Sequence, residues 1–386
     1  MCIRDREEPS PPALEPQLYE RVDALRRDVA DLFAVSDTTL DFPAKGHIRF
    51  RGQFLRPPAD CFDELRRRFE RHGYTPMTEK EDDGRVALVA LPVVFAQHHP
   101  RWIINLILFL LTIGSTLYVG ATYGALTMEQ AMAQAREWWN GWPFAVSILL
   151  ILGAHEMGHY FAARRHNVPV TLPFFIPLPW SYFGTLGAFI QLRGPVTNRR
   201  ALFDVGAAGP LAGLVFAVPV LLIGLATSGL GTIAPGQQYE GNSILYLLAK
   251  LAVFGRILPG GGTDVYLNQV AWAGWVGLFV TGLNLLPVGQ LDGGHVAYAL
   301  FGERSRRFLW PVVIALALIV AYSWRQGAPA LTWVLWIFLL MSFGRVHARP
   351  LEDISPLDPR RRALAIFTLV LFFLCFVPLP LVALAR

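Results

Sequence analysis

The sequence predicts a polytopic α-helical membrane protein of about seven spans with a re-entrant loop or hairpin, plus a small N-terminal α+β soluble domain. Three observations predict this. First, 53% of the 386 residues are hydrophobic, only 16% are charged, and the mean hydropathy is +0.39; soluble domains carry about 25% charged residues. Second, the depletion falls after Arg101, where several stretches approach the ~20 apolar residues that cross a hydrocarbon core of ~30 Å. Third, arginines cluster in alternate connections: Arg101, Arg164 and Arg165, Arg199 and Arg200, Arg304, Arg306 and Arg307, and Arg360 to Arg362. Seven spans with a cytoplasmic N-terminus satisfy the positive-inside rule at every crossing.

In chain order, residues 1–16 are charged and proline-rich and read as a disordered tail without a cleavable signal peptide. The first six of them look unrelated to the rest of the chain. Residues 17–98 read as a cytoplasmic module. In 17–34, Leu18, Val22, Leu25, Val29 and Leu32 recur at spacings of four and three, the face of an amphipathic helix. That face packs internally or, alternatively, forms a homodimer. Ile48, Phe50, Gly52 and Phe54 alternate as in a strand. Asp60 then caps a helix presenting Phe62, Leu65 and Phe69, Gly73 and Pro76 end it, and a second strand starts near Arg85. His72, His98 and His99 read as surface or juxtamembrane residues.

Residues 101–386 read as the membrane domain, with its core at 143–300 and spans at 102–124, 143–163, 203–227, 266–287, 308–323, 330–345 and 362–384. The stretch 171–193 is apolar but broken by Pro173, Pro177, Pro179, Gly184 and Gly187, so it cannot be one regular helix. Irregular backbone at membrane depth survives only in protein or along a wet cavity, which makes 171–193 the re-entrant loop or hairpin. Residues 243–257 suit a short interfacial helix. The third span opens with Gly206, Ala207, Ala208 and Gly209, and Gly213 completes a G-x-x-x-G that permits close helix packing.

The chemistry-bearing motif is His155-Glu156-Met157-Gly158-His159, at the cytoplasmic end of an uncharged apolar run. Two histidines four apart share a helix face and can hold one zinc ion, with Glu156 as general base. A catalytic zinc needs a third protein ligand and one open position. The best candidate is Asp292, which follows a span ending on the same side of the membrane and lies among Pro287, Gly289, Gly293 and Gly294, where the backbone breaks. A membrane carboxylate is costly, and a zinc ion would compensate for it. On position alone, Asp292 is as well read as the cap of a helix from Gly293. His295 is assigned a supporting role.

The two motifs, His155 to His159 and Asn284 through Gly293, together resemble the signature of the site-2 protease family of intramembrane zinc metalloproteases. Residues 183–214 resemble that family's loop and following helix, and the similarity covers roughly 145–300. The soluble module is most similar to that of the ethylene-dependent gravitropism-deficient and yellow-green-like subgroup. The resemblance implies one zinc per chain on His155, His159 and Asp292, Glu156 as the base, and Asn284 near the scissile peptide as an oxyanion partner. It implies cleavage within or near transmembrane segments of single-span membrane proteins in the bilayer.

Other classes fit less well. A non-catalytic scaffold or pseudoprotease would not need an intact Glu156. A metal or proton transporter would predict internal repeats, which are not evident. No Lys/Arg cluster interleaved with aromatics speaks for nucleic acid at a net charge of +5. Cys2, Cys61 and Cys375 imply no disulfide framework. The expected location is the bacterial plasma membrane.

Overall fold

The computed structural model describes residues 16–81, 84–95, 102–125, 127–233, 238–325, 330–344 and 349–383. The chain divides into two compact units, residues 1–96 together with Leu351–Ser355, and the remainder. The expected tail, Cys2, His98 and His99 lie outside the described residues.

In the first unit, α1 (Pro16–Val29) and α2 (Pro58–Arg71) bury the stripes the sequence predicts: Val22, Leu25 and Val29 on one, Phe62, Leu65 and Phe69 on the other. They share a core with an antiparallel sheet of β1 (Phe33–Leu40), β2 (Ile48–Phe54), β3 (Thr75–Lys80) and β4 (Val86–Leu91), ordered β1-β2-β4-β3. Thus an α+β region is present, with two strands more than the sequence pattern predicts. Half of β1 and most of β3 are polar, and β1 carries a bulge between Val35 and Asp37, so neither shows clean alternation. The cap of α2 also differs: Pro57 holds that position and Asp60 lies in the first turn. His72 pairs with Asp28 at 2.8 Å. Gly52 has a steric reason, because a Cβ there would sit 1.9 Å from the Ala34 carbonyl oxygen.

Leu351–Ser355, which the sequence reading assigns to the membrane domain, belongs to this unit. The Thr78 N–H donates to the Leu351 carbonyl at 2.7 Å, and the Asp353 N–H donates to Thr78 Oγ1 at 3.1 Å.

The second unit is mostly helical. Its elements are α3 (Trp102–Ala121), α4 (Met128–Ala135), α5 (Trp142–Arg165), β5 (Phe174–Pro177), β6 (Thr185–Phe189) and α6 (Arg199–Ala226). Then follow β7 (Gly229–Thr232), β8 (Gln238–Glu240), α7 (Ile244–Phe254), β9 (Thr263–Tyr266), α8 (Gln269–Asn284) and α9 (Asp292–Phe301). A 3-10 stretch leads into α10 (Leu309–Arg325), α11 (Leu331–Phe343), α12 (Pro359–Cys375) and β10 (Leu381–Ala383). The core lies among α5, α6, α8 and α9, with residues such as Ile148, Leu221, Trp275 and Tyr298 fully enclosed. The broken stretch 171–193 is an antiparallel hairpin of β5 and β6. The expected interfacial helix is α7, capped by Ser243.

Among the described residues, four stretches are long and apolar enough to cross a membrane: Trp102–Ala121, Trp138–Arg165, Arg199–Ala226 and Asp292–Arg325. Seven were expected. The other three, α8, α11 and α12, have 16, 13 and 17 residues, about 24, 20 and 26 Å at ~1.5 Å per residue. Pro287 follows α8 closely, and Pro378 and Pro380 follow α12; proline ends the regular helix although the apolar run continues.

Candidate metal centre

Why the residues converge follows from helix geometry. His155 and His159 are one turn apart on α5, where Phe144, Ile148, Ile151 and Leu152 bury the adjoining turns. Both histidines and Glu156 are buried, at 4–6% exposure. α6 supplies the opposing wall, and its run of small residues lets it approach. A Cβ at Gly209 would lie 2.0 Å from His159 Nε2, and one at Gly213 would lie 3.2 Å from His155 Nδ1. From the other helix, a Cβ at Gly158 would sit 2.5 Å from the Ala208 carbonyl oxygen.

The third group comes from the break after α8. The chain leaves α8 at Asn284, turns through Gly289 at φ 61°, and starts α9 at Asp292. Leu291 holds the cap position of α9 and no side chain caps it, so the alternative reading of Asp292 as a helix cap is not realised. Gly293 and Gly294 press against carbonyls of the same turn, where a Cβ would meet Leu285 and Gly289 oxygens at 2.0 and 2.4 Å. The turn brings Asp292 Oδ2 to 3.2 Å from His155 Nε2 and Oδ1 to 3.3 Å from His159 Nε2. The two Nε2 atoms are 3.2 Å apart.

These donors suit a zinc ion. Two ligands ~2.0–2.1 Å from a tetrahedral zinc are about 3.3 Å apart, which is the spacing found between all three pairs. Two imidazole nitrogens and a carboxylate are also a donor set that leaves a fourth position for water. The tautomer is set from behind: His159 Nδ1 lies 2.6 Å from the Val205 carbonyl oxygen, so Nδ1 carries the proton and Nε2 has a free lone pair. Asn284 Nδ2 lies 3.3 Å from His155 Nε2, on the rim of the site. The Ile190 backbone, just past β6, lies near the Glu156 carboxylate. His295 stands outside the three-donor group, close to Gly206 of α6.

All five residues singled out by sequence, His155, Glu156, His159, Asn284 and Asp292, are therefore in one place. Sequence reasoning did not find the Val205 carbonyl, the Ile190 backbone or the clearance provided by Gly209. Backbone groups leave no residue signature, whereas Gly209 was visible as one of several small residues without its target.

Fold and site define a protein with candidate membrane spans and a buried three-donor group that could hold a metal ion. Residues 143–322 match the family described as Peptidase family M50, the site-2 protease family the two motifs resemble. The chain is 30% identical over 384 residues to "Probable zinc metalloprotease EGY2, chloroplastic" of Arabidopsis thaliana, covering 94% of this chain and 65% of that protein. It is 29% identical over 305 residues to "Probable zinc metalloprotease EGY1, chloroplastic" of Oryza sativa subsp. japonica, covering 72% and 51%. A third relative, "Probable zinc metallopeptidase EGY3, chloroplastic" of Arabidopsis thaliana, is 29% identical over 251 residues, covering 61% and 42%. The chain thus spans less than two thirds of the length of these relatives. The chloroplast location in their names conflicts with the bacterial plasma membrane expected from sequence; what stands is the match to a membrane protein family and the candidate spans.

Proposed function

We propose that the protein is an intramembrane zinc metalloprotease that hydrolyses peptide bonds within or near transmembrane segments of single-span membrane proteins. The observation that carries this reading is the closure of three ligand atoms to 3.2–3.3 Å, with Glu156 beside them on a helix long and apolar enough to span. Relatives named as zinc metalloproteases support it.

His155, His159 and Asp292 would hold the zinc, which when bound supplies an acidified water and a Lewis acid. Glu156 takes a proton from the attacking water and returns it to the leaving amine. The Asn284 amide N–H donates to the carbonyl oxygen as it gains charge. A helical substrate hides its carbonyls in i→i−4 bonds, so the segment to be cut must unwind. The hairpin of β5 and β6 has two strands among the described residues, and its outer edge offers backbone partners to an unwound strand. The Ile190 backbone at the end of that hairpin lies near Glu156.

For topology, we retain seven spans, with α8, α11 and α12 crossing as short helices through local thinning of the bilayer. The N-terminal unit then lies on the positive-inside face.

The test is zinc content and cleavage of a single-span substrate in detergent, for the parent chain, Glu156→Gln and Asp292→Ala. The parent should bind one zinc and cut. Glu156→Gln should keep zinc and lose cleavage, and Asp292→Ala should lose zinc. A parent chain without zinc overturns the reading.

A further inference from the structure

The seam between α5 and α6 is lined by small residues at the metal centre. A Cβ at Gly158 would sit 2.5 Å from the Ala208 carbonyl oxygen, and one at Gly209 would meet the His159 ring. Small residues let two helices approach closely, but they raise no ridges that interlock. The register of α5 against α6 therefore falls to directional contacts. It matters most at His159, whose Nδ1 lies 2.6 Å from the Val205 carbonyl oxygen. A slip of one residue, about 1.5 Å along the axis, is enough to misalign that contact. A second contact lies two turns further along. His166, which caps the C-terminus of α5, is seven residues beyond His159 and so on the same face, about 10 Å away. Its Nε2 lies 2.8 Å from Asp204 Oδ2 on α6, and Asp204 directly precedes Val205.

The Asp204 carboxylate is itself fixed. Arg361, in the first turn of α12, grips it twice, Nε to Oδ1 and Nη2 to Oδ2, both at 2.8 Å. Arg361 Nη1 in turn donates to Asp358 Oδ2 at 2.7 Å, and its backbone N–H donates to Asp358 Oδ1 at 3.1 Å, which caps α12. A bidentate arginine–carboxylate pair fixes orientation as well as distance, so His166 meets an acceptor whose direction is set. Val205 of α6, Val168 just past α5 and Ala365 of α12 are buried in one apolar cluster, so the clamp and the orienting carbonyl share the same packing. All of these residues belong to the second unit.

We propose that Asp204 and Arg361 are positioning residues of the metal centre. Through His166 they lock the register of α5 against α6. That register holds the Val205 carbonyl on His159 Nδ1 and keeps His159 Nε2 at 3.2 Å from His155 Nε2 and 3.3 Å from Asp292 Oδ1. This rests on the metalloprotease reading, since it concerns that same centre.

The test uses the purified full chain in nanodiscs. Zinc affinity is read by chelator competition, together with the cobalt(II) d–d band, which reports ligand geometry. Loss of a partner that orients a ligand lowers metal affinity by about 10–100-fold. Asp204 acts through Val205, one step removed, so Asp204→Asn and Arg361→Gln should each take the lower figure, about tenfold, and alter the cobalt band. Arg361→Lys keeps the charge without the fork and should fall between them and the parent. Parent affinity in the folded variants overturns the proposal. Lowered affinity with an unaltered cobalt band overturns it too, because that is general loosening of the fold. If Asp204→Asn does not fold, Arg361→Lys carries the same test. Amide exchange of residues 159–166 in the metal-free chain separates this proposal from the reading it rests on. A parent that binds no zinc faults the metalloprotease reading. The register lock then stands if Arg361→Lys raises that exchange by roughly threefold, and falls if exchange is unchanged.

Discussion

Replacing Gly209 with alanine is the smallest change that reaches the metal centre. The added methyl would stand 2.0 Å from His159 Nε2, 2.4 Å from Cδ2 and 2.5 Å from Cε1. Ordinary carbon contacts are ~3.5–4.0 Å, so the ring must withdraw by about 1.5 Å or α5 and α6 must part. Withdrawal takes Nε2 out of a ~2.0–2.1 Å ligand bond and strains the 2.6 Å contact of Nδ1 with Val205, which lies one turn earlier on the same helix. Parting is opposed by Gly158, already tight against Ala208. Overpacking of this kind costs about 1–3 kcal/mol. Loss of an orienting partner alone lowers metal affinity by about 10–100-fold, and a displaced ligand costs at least the upper figure. Zinc per purified chain, and zinc affinity by chelator competition, measure this. Two glycines calibrate it. Gly213→Ala, with its methyl 3.2 Å from His155 Nδ1, should weaken zinc mildly, and Gly153→Ala, which meets nothing within 4 Å, should leave zinc unchanged. Gly209→Ala with full zinc at parent affinity would refute this ligand geometry.

Two further outcomes rest on the same packing logic. Lys250 of α7 is fully buried between Asp264 at 2.8 Å and Glu240 at 3.5 Å; Lys250→Met leaves two buried carboxylates unpaired and should cost about 3–5 kcal/mol, read as a lowered unfolding temperature, and Asp264→Asn should recover part of it. Burial pushes the Cys61 thiol up from its ordinary value, so at pH 8 it stays protonated and should react with a maleimide far more slowly than after denaturation; equal rates would contradict its place in the core of the first unit.

His155, Glu156 and His159 were legible because a helix puts residues four apart on one face, and that spacing is written in the sequence itself. Asp292 was legible less directly. The alternation of arginines placed it on the same side of the membrane as His159, but a cap for the next helix fitted the local residues equally well. The structure decides between them by turning the chain through Gly289 so that Leu291 takes the cap position. β1 and β3 escaped notice because a period of two disappears when Ser36, Asp37, Glu79 and Lys80 interrupt it.

The sequence by itself determined the membrane class, the hydrolase motif pair and the places where helices break, because periodicity, hydropathy and proline act within a few residues. Tertiary structure alone decided which backbone carbonyl fixes the tautomer of His159, which glycine clears its ring, and that 351–355 returns to the N-terminal unit. Carbonyls are the same in every residue, and a glycine's neighbour or a segment's docking site is set by chain tens to hundreds of positions away, where no local pattern reaches.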